Sequence, residues 1–78
     1  MASLKELVEF IAKSIVDDPS QVHVSEIEGE SSVILELRAG PEDMGRLIGR
    51  NGRTVNAMRT LVRVLAAKQG KRVNLEIV

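Results

Sequence analysis

Cysteine is absent from the sequence. That excludes disulfides, thiolate nucleophiles and cysteine-ligated metal sites, and it fits a reducing compartment. Tryptophan and tyrosine are missing as well, and Phe10 is the only aromatic residue, so a recognition surface built on stacked aromatic platforms is excluded. His23 is the only histidine. It alternates outward between Val22 and Val24, has no second histidine or cysteine to share a metal, and reads as a surface or edge-strand residue. No apolar run approaches the ~18 residues of a membrane span, and no basic-then-apolar leader opens the chain. The expectation is a soluble, unexported, cytoplasmic protein with no membrane partner. Carboxylate pairs in a cleft pattern, a nucleophile beside a base and a metal-ligating cluster are all missing. No enzyme, no cofactor, no metal and no small-molecule substrate is therefore expected.

What is present is a short, well-patterned chain. At 78 residues it holds one domain, residues 1–78, around one core. Folding at that size buries only about 60–65% of the unfolded chain's surface, and association with another copy or a partner is a common remedy for thin stability. The net charge is zero, yet it is unevenly placed. Residues 1–37 carry two basic and eight acidic side chains, 2 − 8 = −6; residues 38–78 carry nine basic and three acidic, 9 − 3 = +6. Such asymmetry suits a polyanion partner for the basic half, or attraction between the halves.

Leu4, Leu7, Val8, Ile11 and Ile15 recur at helical spacing and predict a helix over 3–17, with Ser3 and Glu6 as a capping box and Asp17-Asp18-Pro19 as its stop. Val22, Val24 and Ile27 predict a strand over 21–28 whose alternation slips once, a slip that a bulge would absorb. After the turn at Glu28-Gly29-Glu30-Ser31, Val33, Leu35 and Leu37 predict a second strand over 32–39, antiparallel to the first because the connection is so short. Pro41-Glu42-Asp43 opens a short helix through Met44, Leu47 and Ile48 that Gly49 stops. A longer helix begins near residue 52, carries Val55, Met58, Leu61, Val62 and Leu65, and is closed by Gly70. Val73, Leu75 and Ile77 alternate in a final strand over 72–78. The connection through two helices makes the last two strands parallel and the crossover right-handed. The predicted class is α+β: a two-layer α-β-β-α-α-β sandwich with a three-stranded mixed sheet covered by three helices.

Residues 45–55, Gly-Arg-Leu-Ile-Gly-Arg-Asn-Gly-Arg-Thr-Val, place the densest glycine beside the densest positive charge. In Gly49-Arg50-Asn51-Gly52 the glycines admit positive φ and close approach of a ligand to the backbone. The amides opening the next helix are free donors at the positive end of its dipole, a ready site for a phosphate oxygen. Arg50 and Arg53 add charge suited to phosphate, and Arg46 lies one turn earlier. Glycine at a helix–helix junction also serves simply to turn the chain. Gly52-Arg53-Thr54 is not the end of a P-loop: Leu47 stands where that motif needs glycine, and Arg53 where it needs lysine. The 45, 49, 52 glycine spacing is not a dinucleotide fingerprint either.

Leu47-Ile48-Gly49-Arg50-Asn51-Gly52-Arg53-Thr54-Val55 resembles the signature of the KH domain: an apolar pair, G-x-x-G, two residues, then a β-branched apolar residue. The element order is similar to the second, bacterial type of that fold, and the chain as a whole resembles the stand-alone bacterial KH proteins of the KhpA family. The resemblance implies a non-enzymatic protein that binds short single-stranded RNA with low sequence preference, acting as an RNA chaperone or post-transcriptional regulator. KH domains clamp the backbone of about four nucleotides with the G-x-x-G loop and lay the bases in a narrow apolar groove. It implies Gly49, Arg50, Asn51 and Gly52 as the clamp, Arg53 and Arg46 as neighbouring charge, and Ile48 and Val55 as groove or underlying core. It also implies pairing, as a homodimer or with a second KH-domain protein.

Arg53, Asn56, Thr60 and Arg63 are spaced to share one helical face, with Arg59 projecting elsewhere; Arg53 and Asn56 are expected to line the groove nearest the loop, and Arg63 to be solvated. Met44 and Met58 read as core filler. Glu26, Glu28 and Glu30 read as a solvated turn rather than a divalent-cation site. Ile34 and Val78 point away from the inner face. The alternative function is a protein-interaction module that keeps the KH fold without gripping RNA and uses the acidic first helix or the outer sheet face. Arg50-Asn51 inside the loop favours RNA, since an acidic pair there would repel phosphate.

Overall fold

The computed structural model describes residues 3–78. Helix α1 (Leu4–Ile15) leads to strands β1 (His23–Glu28) and β2 (Ser32–Arg38), then to helices α2 (Met44–Ile48) and α3 (Arg53–Lys68), and ends in β3 (Arg72–Ile77). The sheet order is β1-β2-β3, with β1 antiparallel to β2 and β2 parallel to β3. Three helices cover one face of this mixed sheet. The α+β class and the element order are those expected from the residue pattern.

The core forms where the helical stripes meet the inner sheet face. Leu35 and Leu37 on the central strand are fully buried, as are Val8, Ala12 and Leu47. Val33, Val73 and Leu75 extend the same face, and Met58 and Val62 close it from α3. Met44 packs against this core from its margin. On α3 the buried positions are Val55, Met58, Val62 and Ala66, steps of three and four. Leu61 and Leu65 lie one residue behind that stripe, about 100° around the helix, and are exposed rather than inward.

Several boundaries differ from the sequence expectation for identifiable reasons. Ser3 does cap α1, its Oγ accepting from the Glu6 amide at 3.1 Å. The helix nevertheless ends at Ile15 rather than 17, because the Asp17 and Asp18 amides leave it to donate to the two carboxylate oxygens of Asp43, each at 3.1 Å. Pro19–Gln21 then forms a 3₁₀ turn capped by Asp18, which delays β1 to His23. The Gln21 side-chain amide and the Ser20 hydroxyl hold the Asp18 carboxyl below the usual carboxylate range. No bulge interrupts β1: the register runs unbroken from His23↔Arg38 to Glu28↔Val33. Ile27 consequently sits on the outer face, opposite Ile34. Pro41–Asp43 is a separate 3₁₀ turn before α2. At the other end of α3, Lys71 N–H reaches Ala66 C=O and Gly70 N–H reaches Ala67 C=O, a Schellman closure that feeds the chain into β3.

Asp43 was expected only as a favourable charge in a first helical turn, yet it is the buried acid of the fold, 4% exposed. Removing it leaves two part-buried amides without an acceptor. Asp43→Ala should lower stability by about 1–3 kcal/mol in urea unfolding. Arg46→Ala removes only its half-exposed ion-pair partner and should cost less than about 1 kcal/mol. Equal losses from both would contradict this assignment.

Candidate functional site

The junction between α2 and α3 is built by three residues with positive φ in a run of four. Gly49 stops α2 at φ 76°, ψ 172°, a region essentially reserved for glycine. A Cβ there would lie 2.4 Å from Thr54 Oγ1 and 2.9 Å from the Thr54 amide nitrogen. The chain thus passes the start of α3 with no room for a methyl group. Asn51 adopts φ 58°, ψ 25°, a left-handed conformation asparagine tolerates, and Gly52 follows at φ 77°, ψ 13°. Thr54 was the residue that sequence reading passed over as motif filler; it is what makes Gly49 irreplaceable.

This backbone leaves donors unclaimed. Arg50–Gly52 forms one 3₁₀ turn whose first bond runs from Gly52 N–H to Gly49 C=O at 3.1 Å. The Arg50 and Asn51 amides precede that bond, and a right-handed residue followed by a left-handed one aims successive N–H groups into a common concavity. Among the described residues, no side chain caps the 3₁₀ turn or the start of α3. Arg50 and Arg53 are exposed, and among the described residues neither enters an ion pair. The concavity can accept an oxyanion between main-chain donors and two unpaired guanidinium groups, at the positive end of a 16-residue helix.

The other candidate residues divide. Asn56 lies against the loop, its Nδ2 3.3 Å from where a Cβ on Gly52 would be. Ile48 is 40% exposed beside Gly49, whereas Val55 is 4% exposed and belongs to the core beneath. Arg46 does not join the cluster. Its Nη2 is 3.1 Å from Asp17 Oδ2 and its Nε 4.0 Å from Asp43 Oδ1, so its charge is engaged at the end of α1. Arg59, expected to project elsewhere, instead donates from Nη1 to Asn56 Oδ1 at 3.0 Å and from Nε to Leu75 C=O at 3.1 Å. Its spacing of three from Asn56 was the available signal. The Leu75 carbonyl lies on the open edge of β3, because Arg72 and Val78 direct their amides to β2 and the odd-numbered residues between them face away. Asn56 and Arg59 therefore line a seam between α3 and that edge. Glu28, expected in a solvated turn, is instead the last residue of β1 and is ion-paired to Lys71.

A model of the "KhpA/KhpB, KH domain" family matches residues 5–77. The chain belongs to this family. Among similar proteins, the RNA-binding protein KhpA of Clostridium perfringens is 56% identical over 75 residues, 96% of this chain and 100% of that one. The RNA-binding protein KhpA of Aquifex aeolicus is 48% identical over 77 residues, 99% of this chain and 98% of the relative. These are KH-domain proteins, not a family of enzymes. Among solved structures, Aquifex aeolicus Era bound to GDP and AlF4− superposes with a TM-score of 0.68 at 19% identity over 95% of this chain. Era in complex with MgGDPNP and nucleotides 1506–1542 of 16S ribosomal RNA gives 0.64 at 20% identity. The chain spans 29% and 28% of those two Era chains, and the likeness is one of fold.

The glycines of the motif are not equivalent. Gly49→Ala should destabilise by about 1–3 kcal/mol or more, since backbone strain adds to the contact with Thr54. Gly45, in the first turn of α2 with nothing within 4 Å of an added Cβ, should gain about 0.4–1 kcal/mol as alanine. Thermal or urea unfolding of the two single variants, moving in opposite directions, checks both.

Proposed function

We propose that the chain binds single-stranded RNA without catalysis, holding the sugar-phosphate backbone at Gly49-Arg50-Asn51-Gly52. The observation that carries this reading is the uncapped, left-handed loop with Arg50 and Arg53 unpaired beside it. The RNA-binding proteins to which the chain is similar along nearly its full length support it. Arg53 supplies charge next to the clamp. Asn56 and Ile48 meet the nucleotides that follow, and Val55 holds the loop from below. Arg59 adds a donor on the seam, while Arg46 orders the α1–α2 junction instead. Neutralising two to four phosphates gives a salt slope of about −1.5 to −3 for a single strand. With main-chain contacts dominant and no aromatic platform, sequence preference is low.

One clamp of about four nucleotides grips weakly, so useful affinity requires pairing, with a second copy or another KH-domain protein. Leu61, Val64 and Leu65 support this: they form an apolar strip on the solvent side of α3, the first two 52% and 53% exposed. The paired protein acts as an RNA chaperone or post-transcriptional regulator in the cytoplasm.

The test is the double variant Arg50→Asp/Asn51→Asp, which keeps a left-handed-tolerant residue at 51 while turning the cradle acidic. Affinity for a short single-stranded RNA should fall by at least about tenfold with the fold intact by circular dichroism. Duplex RNA should bind more weakly than the single strand, and single-stranded DNA serves as the comparison for the 2′-hydroxyl. Unchanged RNA affinity in the folded variant would favour a protein-interaction module instead.

A further inference from the structure

At the end of α3 opposite the loop, a recess of about 320 Å³ is lined by Arg63, Lys71, Arg72, Val73 and Asn74. It wraps around the open edge of β3. Arg63 approaches from the helical layer, while Arg72 and Asn74 project from the outer face of the sheet. Val73 presents its main-chain N–H between them, since odd-numbered β3 residues face away from β2. Lys71 is shared with Glu28, the one carboxylate paired there. Arg63 and Arg72 are exposed and, among the described residues, enter no ion pair. Two free guanidiniums, a half-neutralised ammonium and a main-chain donor around one hollow form a site for an oxyanion.

Its position relates it to the loop. α3 runs against the direction of β3, so Arg59 meets Leu75 and Arg63, four residues on, meets Val73 two residues back. Asn56, Arg59 and Arg63, at spacings of three and four, form one stripe along the seam. From Arg53 to Arg63 is ten residues, about 15 Å along the helix axis. A strand held over about four nucleotides from the loop therefore leaves the seam close to this recess.

We infer that Arg63, Arg72 and Lys71 form a second phosphate subsite that receives the backbone of the same RNA strand where it emerges from the groove. The subsite rests on the RNA-binding reading of the loop and lengthens its footprint beyond the clamp. Affinity then depends on RNA length even for an unstructured, single-base sequence.

The test compares oligouridylates of about five and about ten nucleotides by fluorescence anisotropy, with the native protein and Arg63→Gln/Arg72→Gln. Both side chains are exposed, so the variant should melt at the native temperature. The native protein should bind the longer RNA more tightly than its extra binding registers explain, with a salt slope steeper by about 0.7–1.4. The variant should hold the shorter RNA within about twofold of native, lose at least about fivefold on the longer one, and lose the extra slope. Equal weakening at both lengths, or native affinity for the longer RNA, would overturn the subsite. If the native protein binds the short RNA but gains nothing with length, the subsite alone fails. Binding at neither length removes the subsite together with the reading of the loop.

Discussion

At Gly49 the backbone runs so close to Thr54 that a single methyl group has no place, and the order of the functional half of the molecule follows from that contact. The close approach stops α2, sends the chain through two left-handed residues and starts α3 without a capping side chain. A polar side chain at the start of α3 would satisfy its first amides and stabilise the helix. Gly52 at that position offers no such cap, and the Arg53 amide turns back to the Arg50 carbonyl, so the donors left for a ligand are those of Arg50 and Asn51. The stability forgone is only about a few tenths of a kcal/mol, small enough for a core of fully buried leucines and valines to carry.

Charge is sorted around that junction. Carboxylates here are not merely solubilising: Asp43, buried within the basic half, collects the amides of Asp17 and Asp18 and, with Asp17, draws Arg46 toward α1. Arg46 is thereby spent on structure. Arg50 and Arg53, a turn or two later, have no such partner among the described residues and keep their full charge for solvent or ligand. Arg59 falls between the two cases, tied to the Leu75 carbonyl and to Asn56 yet lying on the seam beside the loop. Arginines of one short segment thus divide into structural, bridging and free groups. Only the three-dimensional arrangement separates them.

The strongly periodic elements could be read from residues alone. The α1 stripe, the β2 alternation and the G-x-x-G junction all lie where simple spacing puts them. Failures came where a side chain reached across the chain. Asp17-Asp18-Pro19 marked a stop, but nothing local says that Asp43 would collect both aspartate amides and end the helix at Ile15, or that Gln21 would belong to a turn rather than to the strand. Ile27 invited a bulge because an inward position was assumed for it, whereas an unbroken register pairs it with Ile34 on the open face. On α3, Leu61 and Leu65 share the apolar character of Val62 and Ala66 but not their direction, since one residue turns the helix by about 100°. At the site, the loop and its free arginines were accessible to reasoning from residue type. The pairing of Arg46 with Asp17 and the reach of Arg59 to the Leu75 carbonyl were not, because those two partners are distant in sequence.

The central claim is that the unclaimed amides of the loop are the part of the protein that meets RNA. Titration of ¹⁵N-labelled protein with a short single-stranded oligoribonucleotide, followed by amide chemical shifts, addresses it most directly. The largest movements should fall on Arg50, Asn51 and the first turn of α3, spreading along Asn56 and Arg59, with the outer sheet face unmoved. Shifts confined to α1 or to the Ile27–Ile34 face, with the loop amides still, would contradict it.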